Sequence, residues 1–174
     1  MVDKATGFTH DKKENLSVDW YTPPSIFKSL GLQFDLDPCA PVGGVPWIPA
    51  RRHFSIEDDG LSKHWDGLVW LNPPYGKHTP QWLHKMHRHR NGIALVFART
   101  DCKWFHESVV KADAILFLSG RIKFVDGLGV SGGGGAGCGS MLVAWGEVSV
   151  AALRGMSHNG FFVPLSMTLD SSPK

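Results

Sequence analysis

Asn72, Pro73, Pro74 and Tyr75 stand in a row after the apolar run Val69-Trp70-Leu71 and before Gly76. A residue before proline is pushed toward extended backbone, which keeps Asn72 out of helix geometry. Proline lacks an N–H but keeps its carbonyl, and its φ is nearly fixed. Asn72 and Pro73 together therefore present two aimed oxygens, one from a side chain and one from the backbone. Two acceptors at one point suit a group with two N–H donors, such as a primary amine on an aromatic base. Tyr75 adds a flat face on which a base can stack. An exocyclic amine is a poor nucleophile because its lone pair is shared with the ring. Accepting both of its N–H groups favours a pyramidal nitrogen and stabilises the positive charge that grows as it is alkylated. In-line orientation toward a methyl donor completes the requirement, with no metal and no strong base. The same residue types also populate ordinary turns, so their setting decides between the two readings.

The setting is an alternation of strands and helices. Residues 33–38 alternate and stop at Pro38, as a strand does, and residues 67–71 read as the next strand. Residues 92–98 and 114–119 are continuous apolar runs, the mark of strands buried on both faces. Residues 22–31 predict a short helix with Thr22 as N-cap and Gly31 just past the end; residues 80–90 and 102–112 predict two more. Residues 39–54 are rich in Pro and Gly and read mostly as loop. This order predicts an α/β domain with a mostly parallel sheet. Ligands of such sheets bind beyond the C-terminal strand ends, where Asn72 falls. Residues 121–126 and 140–146 read as two strands joined by a glycine loop, hence an antiparallel C-terminal pair. Residues 149–156 read as a last helix and 161–165 as a short edge segment.

The chain has 174 residues, enough for one ordinary domain: residues 19–166, between a flexible lead-in at 1–18 and a loose tail at 167–174. Apolar residues make up 43%, so a packed core needs no disulfides. A net charge of +2 permits a nucleic-acid partner without arguing for one; a local basic face would have to serve. Cys39, Cys102 and Cys138 lack metal spacing and suit a reducing cytosol. The polar N-terminus does not read as a signal peptide, and no apolar run approaches the roughly 18 residues of a membrane span. A cytoplasmic protein away from membranes is expected.

The segments 20–31 (WYTPPSIFKSLG), 34–40 (FDLDPCA), 69–76 (VWLNPPYG), 98–101 (ARTD) and 120–124 (GRIKF) occur in an order that resembles the phage-type, Dam-like DNA N6-adenine methyltransferases. The resemblance spans roughly residues 18 to 146. It implies a Rossmann-like fold, S-adenosylmethionine (AdoMet) as cofactor, DNA as partner, and a bacterial or phage-infected cell as the setting. It implies that Asn72, Pro73, Pro74 and Tyr75 form the catalytic motif for a flipped adenine. Asp37, Pro38, Cys39 and Ala40 match the family's cofactor motif. Trp20, Thr22 and Pro23 match a segment lying against the cofactor, and Asp58 or Asp59, ahead of Leu61, falls where related enzymes contact its adenine. The usual glycine-rich methyltransferase motif is absent, and the stretch between Asp37 and Asp58 is short.

Several candidates have ordinary alternatives. Asp37 reads as facing the cofactor's ammonium or ribose hydroxyls, whereas Asp35 is as readily a plain strand-end acid. Trp20 could pack on a sulfonium or in the core. Arg99, Thr100 and Asp101 follow a buried strand toward the rim that holds Asn72; with Arg121 and Lys123 they are candidate DNA contacts, although Arg121 could instead pair internally. His84 and His87 could share a helix face, but no further metal ligand lies near. A solvated surface, or a phosphate-contacting face with Lys85, Arg88 and Arg90, is preferred to a metal site. Gly127, Gly129 and Gly132 spell a dinucleotide pattern that opens no helix, so they read as a lid, a DNA-facing segment or a linker. An RNA- or protein-amide methyltransferase and an inactive DNA-binding homologue are the competing functions; the intact Asn72–Tyr75 motif stands against the last. A nuclease would need an acidic metal cluster that the sequence lacks.

Overall fold

The computed structural model describes residues 21–126, 128–130 and 136–165. The lead-in at 1–18, Trp20, Gly127, Gly132 and the tail at 167–174 lie outside the described residues. Seven strands are described: β1 (Phe34–Asp37), β2 (Ala50–His53), β3 (Val69–Leu71), β4 (Gly92–Phe97), β5 (Ala114–Leu118), β6 (Ser140–Trp145) and β7 (Gly160–Pro164). They form one sheet in the order β2-β1-β3-β4-β6-β5-β7. Four helices accompany it: α1 (Pro24–Leu30), α2 (Thr79–His89), α3 (Lys103–Glu107) and α4 (Glu147–Gly155). The continuous apolar strands demand cover on both faces. On one face Leu36, Leu71, Val96 and Val143 pack with Trp82, Leu83 and Met86 of α2. On the other, Phe34, Trp70, Leu95 and Leu142 pack with Phe27 of α1 and Leu153 of α4. The result is three layers, helix on sheet on helix.

The left part of the sheet is parallel: β1 pairs with β2 and β3, and β3 with β4. From β1 the chain moves outward to β2, then returns to β3 on the other side. That reversal opens a crevice beyond the ends of β1 and β3. Within β1, the N–H groups of Asp35 and Leu36 both donate to the Leu68 carbonyl, at 2.7 and 3.3 Å. This doubled contact is a bulge, and it lets Phe34 and Leu36 face opposite layers although they are two residues apart. Asp35 is occupied there. Its Oδ2 accepts the Leu68 N–H at 2.8 Å, and its Oδ1 lies 3.5 Å from Arg51.

The right part differs from the sequence expectation. Residues 121–126 form no strand; Val125 makes only an isolated antiparallel bridge to Tyr21. Gly120, at φ 77°, turns the chain out of the sheet, and Ile122 and Val125 bury at a spacing of three rather than two. β6 instead runs between β4 and β5, antiparallel to both, and β7 adds antiparallel to β5. All six residues of β6 are buried, which is the place its uninterrupted apolar run requires. Three smaller corrections follow. β2 lies inside the stretch read as loop; its sequence, Ala-Arg-Arg-His, has no apolar alternation because it is an exposed edge. Pro23, not Thr22, is the residue at the N-cap of α1, and Thr22 is buried. The helix expected over 102–112 stops at Glu107 and resumes as a single 3-10 turn, Val109–Lys111.

At the end of the sheet away from the crevice, Asp113 ties three elements together. Its Oδ2 accepts the Gly146 N–H at 2.7 Å, and its Oδ1 accepts from Arg90 Nη2 at 2.6 Å. Arg90 also donates to the Lys111 carbonyl at 2.8 Å and, at φ 64°, ends α2. Asp113→Ala should therefore lower stability by about 1–3 kcal/mol, because it orphans both donors. Urea denaturation checks this, with the properties of the crevice unchanged in the folded variant.

Candidate active site

Four chain segments meet at the crevice end of the sheet. β1 ends there at Asp37, β3 at Leu71, β4 at Phe97, and the reversed β6 starts there at Ser140, paired with Phe97. Asn72 follows Leu71, and its Oδ1 is buried with no hydrogen-bond partner among the described residues. Pro73 is buried and Pro74 exposed. The Pro74 carbonyl accepts the Thr79 hydroxyl at 2.8 Å, which fastens the turn to the first residue of α2. Gly76, at φ 116°, makes the sharp bend between them, a conformation that side chains rarely adopt. Tyr75 is 43% exposed and stacks on Phe97, with ring centroids 4.0 Å apart and planes 14° apart. Desolvation first, and the neighbouring Cys138 second, hold its phenol above the ordinary value, so it is neutral. One face of the ring is thus braced by Phe97. A cavity of about 550 Å³ lies beside it, lined by Tyr75, Thr79, Phe97, Arg99, Cys102 and Trp104.

Asp37 lies at the neighbouring strand end and is 4% exposed. Its Oδ1 accepts the Cys39 N–H at 3.1 Å, and its carbonyl accepts the Phe54 N–H at 2.9 Å. No lysine or arginine among the described residues pairs with it. Burial pushes its carboxyl up from 3.8 to about 7, offset only in part by the Cys39 N–H. The Cys39 thiol is itself raised by burial and by Asp37, so it is a protonated small residue rather than a nucleophile. Ala40 is buried and donates its N–H to Phe54 at 3.0 Å. Thr22 is 1% exposed; its hydroxyl has no partner among the described residues, while its carbonyl accepts Trp47 Nε1 at 2.9 Å.

The segment carrying Asp58, Asp59 and Leu61 comes against the end of β1. A Cβ on Gly60 would lie 2.2 Å from the Pro38 carbonyl oxygen, so only glycine permits the approach. Asp58 itself is committed to a local turn. Its Oδ2 accepts the Ser55 N–H and hydroxyl at 2.8 and 3.0 Å, and those bonds hold its carboxyl below the ordinary value. Asp59 is exposed at φ 53°, and Leu61 is half-buried against the core.

The candidate DNA contacts fall in two places. Arg99, Thr100 and Asp101 are exposed after β4, with Arg99 lining the Tyr75 cavity. Arg121 and Lys123 line a separate groove with Pro23, Ser25 and Ser29; Arg121 donates to the Ala136 carbonyl at 3.3 Å rather than pairing with an acid. Among the described residues no group of three or more His, Cys, Asp or Glu could hold a metal, and no helix is long and apolar enough to cross a membrane. Sequence reasoning missed Phe97 and Thr79. An aromatic at the end of the strand next to β3 was the available signal for the first; nothing marked the second.

Asp37 makes stability depend on pH, and the sign follows from its raised value. The folded chain holds a proton that the unfolded chain releases near 3.8, so the penalty is absent below pH 4 and grows as pH rises to 7. Asp37→Asn cannot ionise. It should match the parent near pH 4 and exceed it at pH 8 by about 4 kcal/mol. Denaturation curves at the two pH values check this; equal stabilities at pH 8 would mean that Asp37 is well solvated.

A family model described as DNA N-6-adenine-methyltransferase (Dam) matches residues 9–157. No curated protein and no solved structure matches the chain. The matched span holds both sides of the crevice, from Asp37 at the end of β1 to Asn72 at the end of β3, and runs on through α4. With most of its length and the whole of that crevice inside the match, the chain belongs to the DNA N-6-adenine-methyltransferase (Dam) family.

Proposed function

We propose that the chain is an AdoMet-dependent, adenine-specific DNA methyltransferase acting on N6 of an adenine swung out of the helix. The observation that carries this reading is the Asn72 side-chain oxygen, buried without a partner at the sheet's crevice. Leaving such an acceptor unpaired costs about 1–3 kcal/mol, which an incoming N–H donor recovers. Asn72 Oδ1 accepts one N–H of the adenine amine and the Pro73 carbonyl the other. Tyr75, braced by Phe97 on one face, stacks the purine on the other. The two dipoles are fixed before reaction, so they stabilise the charge that develops on nitrogen without reorganising. As the carbon–nitrogen bond formed, the methyl–sulfur bond of the sulfonium would break to leave a neutral thioether, and the nitrogen would release one of its two protons to solvent.

The crevice also fits a cationic cofactor. Asp37 is a buried carboxyl with no cation beside it, and Thr22 is a buried hydroxyl with no partner. When bound, AdoMet supplies the electrophilic methyl carbon. Asp37, ionised, accepts the cofactor's ammonium or a ribose hydroxyl. Thr22, Pro23, Pro38, Cys39 and Ala40 wall the same site, the family resemblance adds Trp20, and Asp58 or Asp59 with Leu61 meets its adenine. Arg99, Thr100, Asp101, Arg121 and Lys123 contact the DNA. In this reading residues 19–166 form one methyltransferase domain. Its strand order, with the reversal at β1, fits a Rossmann-like sheet.

The test is incubation with AdoMet and DNA lacking adenine methylation, followed by digestion to nucleosides and mass spectrometry for N6-methyladenine. Asn72→Ala and Tyr75→Ala should each lower transfer by about 10²–10³ or more, with AdoMet affinity by calorimetry little changed. Tyr75→Phe should keep most of the activity, because a stacking face needs no hydroxyl. Asp37→Ala should weaken AdoMet binding instead. Full activity in both alanine variants of the motif would overturn the mechanism.

A further inference from the structure

Between Asp66 and Asp101 the chain carries no acidic residue, yet Lys77, Lys85, Arg88, Arg90 and Arg99 fall in that stretch with four histidines. In a chain with a net charge of only +2, this stretch therefore has a local excess of positive charge that no neighbouring acid in sequence offsets. α2 is the centre of that stretch. Trp82, Leu83 and Met86 face the core. Gln81, His84, Lys85 and Arg88 recur at three- and four-residue spacing, which puts them on one outward stripe. The stripe starts one turn into α2, just past Tyr75 and the exposed Lys77 and His78. From Gln81 to Arg88 it runs about 10 Å along the helix.

A second wall lies beside the stripe. Residues 61–65 and α2 enclose a groove of about 740 Å³ whose lining includes Lys63, His64, His84, Lys85 and Arg88 and no carboxylate. Lys85 builds it. Its ammonium donates to the carbonyls of Gly60 at 3.3 Å, Leu61 at 2.7 Å and Lys63, and lies 4.8 Å from the centre of the Trp65 ring. Of the two readings open for this helix face, a solvated surface or a phosphate contact through Lys85, Arg88 and Arg90, neither holds for all three residues. Lys85 is a tether, and Arg90 is held by Asp113 at the far end of the sheet. Lys63 and Arg88 are exposed cations with no salt bridge among the described residues. The nearest acids lie outside the lining: Asp66 pairs with Arg52, Asp59 acts on Lys85, and Asp58, hydrogen-bonded to Ser55, lies within electrostatic reach of Lys63 without a salt bridge to it.

We propose that this groove holds the phosphate backbone of the duplex flanking the target base, with Lys63 and Arg88 as its free charges. The proposal rests on the reading of the chain as a DNA methyltransferase. A duplex presents one negative charge per about 1.7 Å of its axis, and a preformed, acid-free channel running away from Tyr75 gives those charges counter-ions beyond the crevice. Such contacts position the DNA and carry no sequence information.

The experiment is duplex binding by fluorescence anisotropy between 50 and 200 mM salt, for the parent, for Lys63→Ala/Arg88→Ala, and for the control Arg154→Ala. Arg154 lies on the opposite layer, over Phe162. Removing two phosphate contacts should reduce the slope of log affinity against log salt by about 2. The loss of affinity across that salt range becomes about tenfold smaller. KM for DNA rises and kcat at saturating DNA stays the same. A slope equal to that of the parent and of Arg154→Ala overturns the proposal. Binding is read without methyl transfer, so the two readings fail separately. A protein that binds duplex in this way but makes no N6-methyladenine overturns the activity. One that methylates and keeps its salt slope after both substitutions overturns the groove.

Discussion

The connections leaving β1 and β3 diverge, one toward β2 and the other toward β4, so neither crosses the point where they part. Everything polar at the crevice follows from that single reversal. Asp37 and Asn72 sit on adjacent strand ends with no crossover between them to cover either. The bulge at Asp35 and Leu36 serves the same geometry, because it lets a four-residue strand send apolar side chains to both layers and still end on a buried acid. The glycine at position 60 then brings a third segment onto the same spot.

The two ends of the sheet treat their carboxylates in opposite ways. Away from the crevice, the carboxylate of Asp113 meets Arg90 and the Gly146 N–H, and Arg90 also donates to the Lys111 carbonyl, while Trp145 Nε1 and the Ser149 hydroxyl have no partner among the described residues. At the crevice, the Asn72 oxygen and the Ser140 hydroxyl, with the Thr22 hydroxyl ahead of α1, are buried without partners among the described residues, and Asp37 is buried without a cation among them. Buried polar groups are normally satisfied, so each such exception is a cost that the packed layers must carry. Asn72, Thr22 and Asp37 are also the groups given direct roles toward ligand in the proposed activity.

Local chemistry was legible in the sequence wherever a residue acts on its own neighbours. The prolines after Asn72, the glycine after α1 and the apolar runs of β4, β5 and β6 each announced their element. Long-range pairing was not legible. β6 reads as a strand, but nothing in its residues says that it enters between β4 and β5 rather than pairing with residues 121–126. β2 was hidden because an exposed edge of Ala, Arg, Arg and His has no periodic signal. The same limit applies to charge. Lys85, Arg88 and Arg90 look alike along a helix, and only contacts more than twenty residues away distinguish the tether and the staple from the free cation.

β2 has a consequence beyond the crevice. A seven-stranded sheet with a bare flank is a template for further strands, and a second copy of the chain offers the same flank. Here that flank carries Arg51, Arg52 and His53, all exposed. Two copies meeting antiparallel along it would set Arg51 of one opposite Arg52 of the other, and these long side chains, already held by Asp35 and Asp66, would have to leave their carboxylates to make room. The residues that hid this strand from a reading of periodicity are therefore the ones that keep the sheet from growing past seven strands at that end, and so from seeding fibrils there.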